Sequence, residues 1–161
     1  MIRRATTEDI PDLIVLQRSI EEENAIWGYR ADSPGDWAKR DLGWTLVAIR
    51  DARFRGFICC SPRPYSGECV FPAGSKILEI VDLIIAGDDR CGGLGHELVA
   101  AAQRQARAEG FTHLRVYSAA KRFDDILEFY RSCGFTPWYL EMTHKIRAEL
   151  AHAGDAAGPP A

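Results

Sequence analysis

No run of apolar residues in this 161-residue chain approaches the ~20 needed to cross a bilayer, which argues against an integral membrane protein. Positive charge is also scarce. With 20 Lys and Arg against 23 Asp and Glu, the formal net charge is -3, so no overall basic field exists to hold a nucleic acid. The N-terminus, MIRRATTEDIPDL, has two arginines without an apolar core behind them and does not read as a signal peptide. Five cysteines (59, 60, 69, 91 and 133) are an odd number lacking a C-x-x-C pair, and Cys59 and Cys60, adjacent on a strand, would face opposite sides. That pattern suits free thiols in a reducing cytoplasm better than a disulfide or zinc framework. His113 and His144 show no metal-ligand spacing. What is present is 47% hydrophobic and 27% charged residues, the mix of one soluble globular domain.

The chain alternates between the two structural periods. Ile2 and Arg4 mark a short strand, and either Asp9 with Pro11 and Asp12, or Thr6 with Asp9, a helix start. Ile10, Leu13, Ile14, Leu16, Gln17 and Ile20 then form a stripe at helical spacing that Glu21-Glu22-Glu23 closes. A short helix is expected after Ser33-Pro34. Thr45 to Ile49 and Phe54 to Cys60 read as a hairpin, and residues 61–75, rich in Pro, Gly and Ser, as a loop. Lys76 to Ala86 is the most apolar strand, broken only by Glu79 and Asp82. A helix from Leu94 to Glu109, a strand His113 to Ser118, a helix Phe123 to Cys133 and a final extended stretch Phe135 to Ile146 follow. The domain is placed at residues 1–146, and 147–161 as a disordered tail. The order of elements gives a mixed α/β sheet with helices on its faces.

Between the apolar strand and the long helix lies Arg90-Cys91-Gly92-Gly93-Leu94-Gly95. A helix start has unpaired N–H groups and the positive end of the macrodipole, glycines admit a ligand to the backbone, and Arg90 adds a fixed charge for phosphate. Taken alone, the segment is equally explained as a tight strand-to-helix turn. It is neither a Walker loop nor a dinucleotide fingerprint, lacking both the Gly-Lys-Ser/Thr and the GxGxxG spacing.

Arg90-x-x-Gly93-x-Gly95 resembles the R/Q-x-x-G-x-G/A signature of the GNAT (Gcn5-related) N-acetyltransferase superfamily, and Tyr130-Arg131-Ser132-Cys133-Gly134-Phe135 resembles its Y-x-x-x-G-F ending of the last helix. The resemblance implies an α/β (α+β) fold. Its central sheet would be mostly antiparallel, with six to seven strands, about four flanking helices, and strands four and five splayed apart. It also implies acetyl-coenzyme A as cosubstrate and no metal. The pyrophosphate would lie on the N–H groups of Cys91, Gly92, Gly93, Leu94, Gly95 and His96, and the pantetheine arm along Leu83, Ile84 and Ile85. Ile85-Ala86-Gly87-Asp88-Asp89 departs from the family's Val-x-Pro, and Phe123-Asp124 stands where many members have Asn.

Transfer to an amine requires a base for the ammonium proton and a weak acid for the departing thiolate. Glu79 occupies the place of the glutamate that several members use as base, with a salt bridge to Arg50, Arg55 or Arg63 as its structural alternative. Asp82 is the second candidate. A spacing of three on a strand puts the two on opposite faces, so at most one looks into the acceptor site. Tyr130 matches the tyrosine that faces the coenzyme sulfur as general acid. Cys91 is expected to contribute only backbone, Cys133 to be a small core residue, and His96 to face solvent. At least two of Trp27, Tyr29, Trp37 and Trp44 should fill the gap between helix and sheet rather than wall the acceptor pocket. The expected activity is direct acetyl transfer to a small primary amine. A protein N-terminus or lysine as acceptor, and a non-catalytic acyl-CoA-binding module, are the alternatives. A homodimer would use loop 61–75 or the final strand.

Overall fold

The structure is a computed structural model, described for residues 1–142. Its elements are β1 (Ile2–Arg4), α1 (Ile10–Glu23), α2 (Pro34–Trp37), β2 (Thr45–Arg50), β3 (Arg53–Arg63), β4 (Ile77–Ile85), α3 (Leu94–Ala108), β5 (His113–Val116) and α4 (Phe123–Ser132). The strands form one sheet in sequence order, β1-β2-β3-β4-β5, antiparallel except for the parallel pair β4–β5.

Local signals set several boundaries. The Thr6 N–H donates to Asp9 Oδ2 at 2.7 Å and the Asp9 N–H to the Thr6 carbonyl at 3.1 Å, a reciprocal cap ahead of α1. Asp9 also receives both ends of the Arg3 guanidinium, at 2.6 and 2.7 Å. Ser33 caps α2, with Pro34 as its first residue. The β2–β3 hairpin turns on Asp51 and Ala52, both with positive φ (51° and 55°), the twist a two-residue hairpin demands.

The sheet has a core on each face. Leu46, Ile58, Cys60, Leu78 and Ile80 pack against Leu94, Leu98, Val99 and Ala102 of α3. Val47, Phe57, Cys59 and Ile84 pack against Leu13, Ile14 and Ile20 of α1, with Trp37 fully buried among them. Cys59 and Cys60 thus face opposite cores, as strand alternation requires, and the thiols are free.

Five strands, not six to seven, occur among the described residues. The expected final strand from Phe135 to Ile146 is not formed over residues 135–142, and its last four residues lie outside the described part. Trp138, Tyr139, Leu140 and Met142 are exposed. Pro137 has no N–H to give a ladder, and apolar content does not by itself supply a pairing partner. The expected tail, 147–161, lies wholly outside the described residues.

Candidate functional site

The site begins where two strands part. β4 and β5 pair from Ile77↔His113 to Ile80↔Val116, and β4 then continues along β3 alone to Ile85. The Ala86 N–H donates to the Arg55 carbonyl at 2.8 Å, so alternate residues of β4 face β3. The N–H and C=O groups of Leu83 and Ile85 therefore point the other way, into the gap that β5 leaves. Ile84 faces β3 through its backbone and the α1 core through its side chain.

The pairing of β3 with β4 shifts by one residue, Cys60 standing opposite Ile80 and Cys59 opposite Asp82. Val81 is the extra, exposed residue of a β-bulge. The bulge restores the phase, so Glu79 (opposite Ser61) and Asp82 (opposite Cys59) share the α1 face. The expectation of opposite faces fails for this reason.

The two carboxylates differ in surroundings. Glu79 is held between two guanidiniums, accepting from Arg63 Nε at 2.9 Å and Arg115 Nε at 2.8 Å, and Arg115 continues to Glu68 at 2.8 Å. Of the three arginines considered for Glu79, only Arg63 reaches it; Arg50 goes to Glu97 and Arg55 to Asp89. Asp82 is 9% exposed and has only long contacts, from Gln17 Nε2 (3.3 Å), the Tyr29 hydroxyl (3.3 Å) and Arg40 Nη1 (3.4 Å). Burial pushes its carboxyl above the ordinary value, against the pull of Arg40.

Beyond β4 the chain makes a 3-10 turn over Gly87–Asp89 and enters α3 through Cys91 (φ 66°) and Gly93 (φ 81°). The first helical bond runs from the Glu97 N–H to the Gly93 carbonyl. Among the described residues no side chain caps this end, and the N–H groups of Leu94, Gly95 and His96 have no backbone acceptor. They give an open anion cradle at the positive end of a 15-residue helix. Gly95 has a packing role as well, since a Cβ there would lie 3.1 Å from Phe129 Cε2. Arg90 is not free. It forms a two-point pair with Glu23 at 2.6 and 2.8 Å and donates through Nε to the Ile85 carbonyl at 3.2 Å. His96 is exposed but tied to α4 by Ser132 Oγ at 2.8 Å, so it does not simply face solvent.

The second motif is a helix ending with defined geometry. The Phe135 N–H donates to the Tyr130 carbonyl at 3.0 Å and the Gly134 N–H to the Arg131 carbonyl at 2.9 Å, with Gly134 at φ 87°. This is a Schellman motif, and its customary hydrophobic contact is the edge-on pair Tyr130–Phe135, 5.3 Å between ring centres. Tyr130 is thereby fixed on the α3 side of the sheet, beside a groove of about 630 Å³ that it lines with Val116, Phe123 and Phe135. Its hydroxyl is pushed up, by burial first and then by Cys133, Cys60 and Asp82. It has no hydrogen-bond partner among the described residues.

Gln17, Asp32 and Arg40, all around Asp82, belong to no motif, whereas Tyr29, one of the four aromatic residues weighed as walls of the acceptor pocket, does stand beside Asp82. The available signal was Gln17, an amide within the apolar stripe of α1. Trp37 and Trp44 do fill gaps, the latter edge-on to Phe111 at 5.1 Å. Trp27 is exposed, under Lys121. No group of three or more metal-ligating side chains occurs among the described residues, nor a helix long and apolar enough to cross a membrane.

The amino-acid acetyltransferase of Azotobacter vinelandii is 29% identical over 150 residues, covering 92% of this chain but 30% of its own length. An aminoglycoside acetyltransferase from an uncultured soil metagenomic sample, solved with trehalose, superposes with a TM-score of 0.67 at 21% identity, covering 91% of this chain and 96% of its own. N-acetylglutamate synthase from Neisseria gonorrhoeae, solved with coenzyme A and N-acetyl-glutamate, gives 0.61 at 22% identity over 80% of this chain and 27% of that one. At such identities the structural likeness is one of fold. The sequence profile of the Acetyltransferase (GNAT) family matches residues 12–135, and it is to this family that the chain belongs.

Proposed function

We propose that the chain is an acetyl-CoA-dependent N-acetyltransferase acting on a primary amine of a small molecule, by direct attack in a ternary complex. The observation that carries this reading is the parting of β4 from β5. It leaves the backbone groups of Leu83 and the Ile85 N–H without a strand partner, the Ile85 carbonyl being taken by Arg90 Nε, between an open helix N-terminus on one side and a buried carboxyl on the other. A pantetheine amide has the donors and acceptors to pair with that strand edge, and a pyrophosphate the charge to lie on Leu94, Gly95 and His96 with Cys91, Gly92 and Gly93 leading in. Acetyl-CoA supplies the activated acyl group as a thioester.

The chain's own residues divide the proton work. Asp82 is the general base: buried, raised and weakly bonded, on the α1 face of β4. Glu79, engaged at both oxygens by arginines, is a strut between β3, β4 and β5. Tyr130, on the other face, is the acid; its raised value keeps the hydroxyl protonated until a thiolate develops. A small-molecule acceptor is supported by the amino-acid and aminoglycoside acetyltransferases that the chain resembles. The buried free thiols Cys59 and Cys60 suit a cytoplasmic location.

The test is an acceptor screen at fixed acetyl-CoA, reading thiol release and product mass. Amino acids, aminoglycosides, polyamines and lysine peptides are the panel. Acetylation of at least one small amine is expected. Coenzyme A binding without any amine-dependent thiol release would mean a non-catalytic binding module.

A further inference from the structure

Asp82 shares two of its three donors, Gln17 and Arg40, with a second carboxylate, Asp32, and both donors stand closer to Asp32. Gln17 Nε2 is 2.8 Å from Asp32 Oδ2 and 3.3 Å from Asp82 Oδ2. Arg40 Nη2 is 2.5 Å from Asp32 Oδ2, while Arg40 Nη1 is 3.4 Å from Asp82 Oδ2. The donors themselves are fixed. The Gln17 side-chain oxygen accepts from Trp37 Nε1 at 2.9 Å and from the Asp32 N–H at 3.2 Å, and the Arg40 guanidinium stacks on the Trp37 ring at 4.7 Å. The unequal division is therefore built into α1 and the segment that carries α2 rather than being one choice of a loose side chain.

We propose that Asp32 is a positioning residue: it draws the Arg40 guanidinium and the Gln17 amide away from Asp82, leaving Asp82 the under-bonded carboxyl of the pair and the one able to accept a proton. The inference rests on the reading of Asp82 as the base. A guanidinium lowers a neighbouring carboxyl most when it is close and hydrogen-bonded, and a hydrogen bond at 3.4 Å is weak. Were Asp32 absent, Arg40 would need to move less than 1 Å to give Asp82 a normal charge-assisted bond of ~2.8 Å. Asp82 would then lose basicity. The other groups facing Asp82 are Tyr29 from the segment after α1 and Cys59 from β3, whose sulfur accepts from Arg40 Nη1 at 3.3 Å; across the sheet its charge also reaches Tyr130. None of these adds a positive charge, so Arg40 is the cation that Asp32 and Asp82 divide.

The test follows the Asp82 side-chain carbon by NMR titration of ¹³C-aspartate-labelled full-length protein, with Asp82→Asn identifying its signal. Asp32→Asn is expected to move the Asp82 midpoint to lower pH, and Arg40→Met to higher pH. The acid limb of kcat/KM for one amine acceptor should follow in the same two directions. A midpoint unmoved or raised in Asp32→Asn overturns the proposal. If that variant does not fold, an unmoved or lowered midpoint in Arg40→Met overturns it equally. Opposed midpoint shifts with a stationary acid limb, and full turnover in Asp82→Asn, would uphold the division of donors and remove Asp82 as the base.

Discussion

Arg90 and Glu23 close a two-point ion pair, at 2.6 and 2.8 Å, that joins the last turn of α1 to the glycine-rich turn before α3. The pair lowers the Glu23 carboxyl and occupies the Arg90 guanidinium beside the anion cradle. Because both side chains are well exposed (40% and 38%), the pair is worth about 1 kcal/mol or less and competes poorly with a polyanion. Glu23→Gln should therefore tighten coenzyme A binding by up to about fivefold, measured by titration calorimetry. Arg90→Ala should weaken it. A weaker Kd in Glu23→Gln would show that Arg90 serves only as a tie between the two segments.

Removing the Tyr130 hydroxyl leaves its ring contacts with Phe129 and Phe135 in place. Tyr130→Phe should thus lower kcat about 100-fold while the coenzyme Kd stays within about twofold. Steady-state kinetics and calorimetry on the same preparation decide it. Equal losses in both would assign Tyr130 to packing.

Glu79 and Asp82 share a face, so position does not separate them but surroundings do. Asp82→Asn should cost about 100-fold or more in kcat. Glu79→Gln should cost much less in kcat, and its main effect should be a lower melting temperature, because Arg63 and Arg115 lose the carboxylate between them. The reverse order of kcat losses would exchange the two roles.

The parts of the site that were legible are those built from neighbours in sequence. The glycine turn works through a helix start and two positive-φ residues, and Tyr130 to Phe135 through a six-residue helix ending; both are local, and both stand where the motifs place them. The bulge was not legible. A two-residue period assigns Glu79 and Asp82 to opposite faces unless Val81 is known to drop out of register, and only pairing with Cys59 and Cys60 determines that. The surroundings of Asp82 are equally non-local, drawn from residues 17, 29, 32, 40 and 59. Two local signals point there: Gln17, an amide in an apolar stripe that requires a buried polar partner, and Tyr29 among the aromatic residues weighed for the acceptor pocket.

Gly95 belongs to the family motif for a reason independent of coenzyme. A methyl there would press on Phe129 at 3.1 and 3.2 Å, and that ring is already held edge-on by His96 and Tyr130. Gly95→Ala should destabilise the protein by about 1–3 kcal/mol, read by urea unfolding. Combining it with Phe129→Leu should recover part of that loss, since the two sites are in contact. Gly93→Ala meets no neighbour and should cost only about 1 kcal/mol, for its left-handed backbone.

The Arg3–Asp9 pair makes a prediction about acid. Asp9 is lowered from the usual carboxylate value, first by the Arg3 hydrogen bonds and then by the Thr6 N–H, with burial opposing. A carboxyl lowered in the folded state stabilises the fold above its unfolded value, and that contribution disappears as pH falls from there through the lower, folded value. The Asp9-dependent part of stability should therefore be constant near neutrality and decline from about pH 5 downward, where an unfolded aspartate begins to take up protons. Asp9→Asn should cost about 1–2 kcal/mol at pH 7, because Arg3 and the Thr6 N–H lose a charged acceptor at the start of α1. The difference between wild type and variant should shrink as pH is lowered toward 2. A difference that stays constant across that range would mean that the Asp9 charge contributes nothing and that only the shape of the cap counts.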